Sequence, residues 1–464
     1  MKLWDSQEIF DILENKIQKR FLIGNISIDS RSLEEGDLFI ALRGEKFDGH
    51  DFVYEAFKKG ASAVIVNKSK TKNYNDSFFK NKTLIPVNST LIFLKKLAKK
   101  SRKRPENLVT IGITGSSGKT SVKDWISFIL SKSFKVHKNP GNFNNQIGLP
   151  LTLSRMKSDT EICILEIGMN KPGEISILSK IAKPHISIIT NIGPAHIGNF
   201  KNIDGIVEEK ASIINNSNLT LIPRDSKKFN LLKNHAIEKS KKYFTFGFSN
   251  HSDFQISEIK KLNDSENIVT FKLQDVQLNV KLKVQAKHWY INILILLSVS
   301  KLLKIKLSSF LKFLYDLAPQ NGRGSIHHLI YKKKNITLFD DSYNSNPLSL
   351  KASLNSIKYL NKKNKRTVCI IGDMLELGKK TSKYHEEIID SIVKSNADVV
   401  YTVGKYSKMI NKNLPKSIES FHCNDLDVLY NYLRQNIIEG DFIMIKGSNS
   451  INLNSVCVKI KDNM

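Results

Sequence analysis

The sequence predicts an α/β protein of three domains. Three observations carry that reading: a length of 464 residues, a recurrent alternation of short apolar strands with helical segments, and two polar, turn-rich breaks in the alternation. A single hydrophobic core stops growing well before this length, so the chain must divide. The breaks place a small N-terminal α/β module at 1–105, a central P-loop-type domain with a mostly parallel sheet at 106–320, and a C-terminal Rossmann-like α/β domain at 321–464.

In the first module, Leu38-Phe39-Ile40-Ala41-Leu42 and Ala63-Val64-Ile65-Val66 are apolar runs bounded by Gly36, Gly44 and Gly60, the pattern of short buried strands. The basic, polar stretch 99–107 reads as a linker. Central strands are predicted at 109–113, 162–165, 186–190 and 219–222, with a helix over 122–130 after the first. The run Ala318-Pro319-Gln320-Asn321-Gly322-Arg323-Gly324 ends this region. Strands near 337–340, 367–371, 399–403 and 442–445, each followed by helical sequence, make the third domain, and no solenoid period recurs.

A formal net charge of +28 would ordinarily raise nucleic acid or an anionic membrane as a partner. Here the lysines are spread along the chain, and the densest runs, 99–104 and 332–334, fall at boundaries or turns; neither partner is expected, although phosphorylated substrates are attracted. Cys163, Cys369, Cys423 and Cys457 lie far apart without Cys-x-x-Cys spacing, and Cys163 and Cys369 fall in apolar strand-like runs, which predicts reduced core thiols at those two and a cytoplasmic protein. The opening Lys2-Leu3-Trp4-Asp5-Ser6 lacks a signal-peptide core, and the most apolar stretch, 290–303, is too short to span a bilayer.

The chemistry begins at Gly115-Ser116-Ser117-Gly118-Lys119-Thr120, between a strand pattern and a helix pattern. Glycines at 115 and 118 allow a tight turn whose amides meet phosphate oxygens, Lys119 adds a positive charge, and the Thr120 hydroxyl suits Mg²⁺. The loop is a shorter Gly-x-x-Gly-Lys-Thr form, because Ile113 stands where a longer loop would begin its count. Glu166 and His196 follow the ends of parallel strands, the edge where such sheets bind ligands, and there a carboxylate and an imidazole can hold a cation or orient its water.

The order of these elements, with Gly141-Asn142-Phe143-Asn144-Asn145-Gln146-Ile147-Gly148 between them and Pro194-Ala195-His196 after, resembles the Mur ligases of peptidoglycan synthesis. Downstream, Asp340-Asp341-Ser342-Tyr343-Asn344-Ser345-Asn346-Pro347 and Gly372-Asp373-Met374-Leu375-Glu376-Leu377-Gly378 are similar to the signatures of the member that adds D-alanyl-D-alanine. The Asp-Asn-Pro-Arg string of the preceding ligase is absent.

The resemblance implies ATP, Mg²⁺, UDP-N-acetylmuramoyl tripeptide and D-alanyl-D-alanine as reactants, an acyl-phosphate intermediate, and a monomer. It implies Lys119, Glu166, His196 and Lys210 as catalytic residues, with Thr120, Glu166, His196 and a carbamylated Lys210 as Mg²⁺ ligands. ATP falls to Gly115, Ser116, Ser117, Gly118, Lys119 and Thr120, with His288, Asn292, Arg323, Asp341 and Asn344. The UDP-tripeptide falls to Ser30, Arg31, Gly44, Asp48 and His50, with Asn142, Asn144 and Asn145. Trp289, Ser212 and Asn449 depart from the usual residues, which bears on adenine packing and on contacts to the substrate tail. The third domain is expected to close over the nucleotide and exclude water from the intermediate.

Overall fold

The computed structural model describes residues 2–14, 19–74, 77–263, 265–361 and 365–462. It resolves into two compact units. The first holds residues 2–112, 133–169 and 174–185; the second holds 113–132, 170–173 and 186–462.

In the first unit, Ile26–Ser27, Leu38–Ile40, Ala63–Asn67 and Leu84–Val87 form a four-stranded sheet, parallel throughout. Alternation along these strands divides the side chains between two faces. Leu38, Ile40, Ala63 and Ile65 pack with Trp4, Phe10 and the helix Thr90–Ser101, while Phe39, Ala41, Val64 and Val66 pack with Val53, Ala56 and Phe57 of the helix Val53–Lys58. Strands buried on both faces read as continuous apolar runs, which is why the sequence exposed them.

The segment read as a linker is not loose. Its first three residues finish the helix Thr90–Ser101, and Arg104 stacks on Trp4 at 4.1 Å while donating to Leu3 O at 2.5 Å and Met156 O at 3.4 Å. Burying that guanidinium against an aromatic ring fixes the turn that polarity alone would have left free. The unit also holds the parallel pair Val136–Lys138 and Ile162–Glu166.

In the second unit, Ile186–Ile189, Leu219–Pro223, Lys242–Gly247 and Phe254–Lys261 pair in succession as parallel strands. Asn267–Leu273 and Val276–Leu282 then extend the sheet antiparallel, an extension that the sequence reading missed. Its hairpin turns through Gln274 at φ 58°, a left-handed residue with no glycine to announce it. The helix Lys287–Leu302, source of the long apolar stretch, is buried almost all round. Among the described residues no helix is long and apolar enough to cross a membrane.

The rest of the second unit is a six-stranded sheet in the order Ser325–Tyr331, Lys334–Asp340, Phe442–Lys446, Thr367–Gly372, Val399–Val403 and Glu419–Cys423. Only the first pairing, a hairpin through Lys332 and Lys333 at positive φ, is antiparallel. The last strand in the chain, Phe442–Lys446, lies between Lys334–Asp340 and Thr367–Gly372. Strand order therefore reverses there, and the carboxyl ends at that point carry Asp340-Asp341, Gly372-Asp373 and Lys446-Gly447-Ser448. Ligands bind doubly wound sheets at such a crevice. Cys163 and Cys369 are free and buried, as expected of core thiols, and so are Cys423 and Cys457.

Candidate functional site

The phosphate loop is built against the end of the neighbouring strand. Gly115 takes φ +148°, and a Cβ there would lie 1.9 Å from Thr190 Oγ1, so no side chain fits. Ser116 N–H donates to Asn191 O at 3.1 Å, and Ser117 N–H donates to Asn191 Oδ1 at 2.9 Å. Asn191 Nδ2 in turn donates to Ser117 O and Oγ, and Ser116 Oγ bridges Gly193 N and O. These two loop amides are thus committed to bracing the loop, contrary to the expectation that successive amides all meet phosphate. The start of the helix Lys119–Leu130 is instead the candidate for anion recognition. Gly118, at its N-cap with φ +78°, has no side chain to close the first turn. Lys119 Nζ folds back to Gly115 O at 2.9 Å, poised across the loop.

A second cation faces Lys119. Lys210, in the helix Ile203–Ala211, is 2% exposed; burial pushes its ammonium pKa well down, Lys119 pushes further in the same direction, and Glu209 opposes them. The neighbouring Glu209 carboxylate accepts from Gly173 N–H at 2.7 Å, and Ser212 Oγ closes the helix end on Glu209 O. His196 sits just past its strand in the left-handed region, φ 59°, with Nδ1 2.6 Å from Glu376 Oε2.

The residues expected on the nucleoside side lie on or beside the second unit's last sheet and the helix Lys287–Leu302. Asn292 Oδ1 lies over Gly118, 3.6 Å from where a Cβ would stand. His288 is pushed down to about 4 by desolvation, with Lys446 adding to the shift and Asp341 opposing it. Asp341 accepts from Lys446 Nζ at 2.6 Å and from Ser353 Oγ. Lys446 Nζ also reaches Asn344 O at 3.0 Å. Asn344 Oδ1 accepts from Ser345 N–H, so this side chain, like that of Asp341, is already held by its own loop. Arg323 stacks 3.8 Å over Tyr343, and Asn449 Nδ2 donates to Tyr343 O. Trp289 is buried against Gly324, leaving His288 as the residue of that pair nearer the surface. Asn346, capping the helix Pro347–Leu360, donates through Nδ2 to Ser116 O at 3.1 Å and so links this sheet to the phosphate loop.

In the first unit, Glu166 ends its strand with 2% exposure. Asn144 Nδ2 donates to Glu166 Oε1 at 2.7 Å, while Asn139 accepts from Glu166 N–H and donates to Glu166 O and Phe143 O. Asn145 Oδ1 accepts from the Ile147 and Gly148 amides where the helix Gly148–Ser154 begins, while Asn142 O accepts from Asn144 N–H. Of the N-terminal candidates, Arg31 is exposed and forks onto Asp29, Ser30 Oγ donates to Glu55, and Gly44 N–H donates to Phe47 O. His50 is buried with both ring nitrogens engaged, Nδ1 with Asp48 at 2.6 Å and Nε2 accepting from Asn67 N–H at 2.9 Å. Its geometry is that of a residue that holds the 48–50 turn.

Four residues that hold other groups in place are given no role by the sequence: Asn139, Asn191, Glu376 and Lys446. The first two stand in turn sequences, Asn139-Pro140-Gly141 and Asn191-Ile192-Gly193, which was the available signal. Among the described residues no group of three or more His, Cys, Asp or Glu could hold a metal ion. The candidate Mg²⁺ donors are a hydroxyl, one carboxylate, one imidazole and the Lys210 amine.

The chain matches three family descriptions in succession: "Mur ligase family, catalytic domain" at 22–102, "Mur ligase middle domain" at 113–299 and "Mur ligase, glutamate ligase domain" at 327–449. It is 32% identical to the UDP-N-acetylmuramoyl-tripeptide--D-alanyl-D-alanine ligase of Rickettsia prowazekii, over 98% of this chain and 99% of the relative. It is 33% identical to the enzyme of the same name from Bacillus subtilis, over 96% and 94%. MurF from Acinetobacter baumannii superposes with a TM-score of 0.85 at 25% identity, covering both chains fully. MurF ligase from Thermotoga maritima in complex with ADP gives 0.79 at 26% identity over 95% and 97%.

Proposed function

The chain belongs to the Mur ligase family, and from that premise we propose that it is the ATP-dependent ligase that joins D-alanyl-D-alanine to UDP-N-acetylmuramoyl tripeptide in peptidoglycan synthesis. The observation that carries this reading is the end-to-end likeness to ligases of that one specificity. The geometry is in keeping with it, because the phosphate loop and the strand ends holding Asp341 and Asn344 belong to one compact unit joined through Asn346.

An oxygen of the tripeptide's terminal carboxylate attacks the γ-phosphorus of ATP, the bond to the β-bridging oxygen breaks, and ADP leaves. The amine of the dipeptide then attacks the acyl carbon, a tetrahedral intermediate forms, and phosphate departs as the amide is made and the amine's proton is lost. Such transfers need placement and charge neutralisation more than covalent help. Lys119 and the first turn of its helix hold the β- and γ-phosphates. Asn292 places the nucleotide over Gly118, and His288, uncharged at neutral pH, faces the base. Arg323, Asp341 and Asn344 border the ribose and phosphates.

Thr120, His196 and Lys210 would hold Mg²⁺, as Glu166 would on the resemblance, and the ion would neutralise phosphate charge. Hard Mg²⁺ prefers oxygen donors, and an ammonium at 210 would repel it. The suppressed ammonium pKa fits, since only the neutral amine adds carbon dioxide to become an anionic carbamate. Within the first unit, Ser30, Arg31, Gly44, Asp48, Asn142 and Asn145 are the candidates for the UDP-tripeptide, with His50 and Asn144 shaping their loops. We further propose domain limits of 1–105, 106–320 and 321–464, a monomer, and action in the cytoplasm; the three family matches fall within those limits.

The test is phosphate release with ATP, UDP-muramoyl tripeptide and D-alanyl-D-alanine, each omitted in turn. Product should appear only with the full set and only as ADP, phosphate and the pentapeptide. Adenylate and pyrophosphate, or no pentapeptide, overturn the reading.

A further inference from the structure

The segment 372–378 is held as a stiff bracket. Asp373 Oδ1 accepts from the amides of Tyr406 at 3.0 Å and Ser407 at 2.7 Å, Met374 N–H donates to His385 Nε2 at 3.0 Å, and Leu375 N–H donates to Ser448 Oγ at 2.9 Å. At its tip stands Glu376, a non-glycine residue at φ 63°. Such a conformation costs roughly 1 kcal/mol or more and persists only where surrounding contacts impose it, which is most often at functional sites.

Glu376 grips the segment after His196 at two points. Its carboxylate stands 2.6 Å from His196 Nδ1, in ion-pair contact although off the line of an ideal hydrogen bond, and its backbone oxygen accepts from Gly198 N–H at 2.9 Å. Beside it two glycines meet face to face: a Cβ on Gly378, itself at φ +61°, would lie 2.6 Å from Gly198 Cα, and one on Gly198 would lie 2.8 Å from Gly378 N. The approach therefore depends on both lacking side chains.

We propose that Glu376 is a positioning residue for His196, set on the C-terminal bracket so that docking of segment 372–378 orients the imidazole for Mg²⁺. A carboxylate on one ring nitrogen directs the proton to that nitrogen and leaves the other as a donor to a metal, and removing such a partner typically weakens metal binding by about 10–100-fold. With Nδ1 toward Glu376, Nε2 is the ligating atom. The inference rests on the reading of His196 as a Mg²⁺ ligand.

The experiment titrates Mn²⁺, as a spin probe in place of Mg²⁺, into full-length protein with a non-hydrolysable ATP analogue, following free Mn²⁺ by electron paramagnetic resonance. Wild type is compared with Glu376→Ala, Glu376→Gln, Gly378→Ala and His196→Ala. Glu376 has a side chain 52% exposed, so truncation leaves no buried cavity. Expected is a weakening of about tenfold for Glu376→Ala and for Gly378→Ala, which keeps the carboxylate but wedges the two segments apart, and a smaller loss for Glu376→Gln, which retains an acceptor. In metal-free ¹⁵N-histidine spectra, Glu376→Ala should lose the Nδ1-protonated form that wild type and Glu376→Gln keep. Unchanged Mn²⁺ affinity in Glu376→Ala beside a weakened His196→Ala overturns the positioning role alone. Unchanged affinity in His196→Ala removes His196 from the metal reading and the inference with it.

Discussion

Replacing Asn191 by alanine takes away three contacts to one residue of the phosphate loop: the acceptor for Ser117 N–H at 2.9 Å and the donations to Ser117 O at 3.2 Å and Ser117 Oγ at 2.9 Å. The backbone bond from Ser116 N–H to Asn191 O survives. A hydrogen bond of this kind is worth about 0.5–1.5 kcal/mol net, and since both residues are half-buried, water can recover part of it. A loss of about 1.5 kcal/mol in holding the loop follows, which is about tenfold in an equilibrium constant. The deficit should fall on nucleotide binding, because the braced loop is the one proposed to meet the phosphates. With ADP release followed at varied ATP, the KM for ATP should rise about tenfold while the KM for D-alanyl-D-alanine stays put. Asn191→Asp should be worse than alanine. It keeps an acceptor for Ser117 N–H, but turns a carboxylate oxygen toward the Ser117 carbonyl and adds negative charge where phosphate binds. An Asn191→Ala enzyme with wild-type KM for ATP and an unchanged melting point would refute the bracing argument.

Lys210→Ala should abolish ligation, with a melting point no lower than wild type, since a desolvated amine is lost along with its repulsion from Lys119; pentapeptide formation at the wild-type rate would remove the residue from the mechanism. His288 titrates near 4 in the fold against an ordinary value of 6.5, so between those values the unfolded chain binds the proton and the native protein does not. Stability should therefore fall as pH drops from about 6.5 toward about 4, and in His288→Gln the decline in urea midpoint over that window should be smaller. Arg366 forks onto Asp441, whose side chain is fully buried, at 2.9 and 2.8 Å. Arg366→Ala strands that carboxylate with the Ile438 amide, and should cost about 3 kcal/mol in urea unfolding, the low end for a broken buried pair because the arginine is partly exposed.

The sheets were legible because their strands are buried on both faces: 162–165 and 442–445 are uninterrupted apolar runs, 399–403 is broken only by Thr402, and the strands Ile162–Glu166, Val399–Val403 and Phe442–Lys446 stand on them. The hairpins Phe254–Lys261 to Val276–Leu282 were not, since one of their faces carries Lys and Glu and their turn lacks the glycine that usually marks such a reversal. The helix after the phosphate loop was placed three residues late. Lys119, Thr120 and Ser121 are polar and break the periodicity, yet they form the first turn, where amides without intrahelical partners are an asset.

The candidate site divides along a similar line. Groups proposed to carry charge to a ligand, such as Lys119, Glu166 and His196, stand out in sequence because their chemistry is unusual at a strand end. Groups that hold them do not, since asparagine in a turn is unremarkable until its partner is known. Asn139 and Asn191 act on residues 27 and 74 positions away, and Lys446 on Asp341 across 105. Glu376 is the extreme case: its motif was noticed, but a glutamate at positive φ between leucines gives no hint of His196. The same distances explain why these residues matter. Each ties a loop bearing a reactive group to a separate segment of chain, so the loop's geometry is fixed by tertiary structure, and a substitution in the holder should reach the chemistry without touching a substrate.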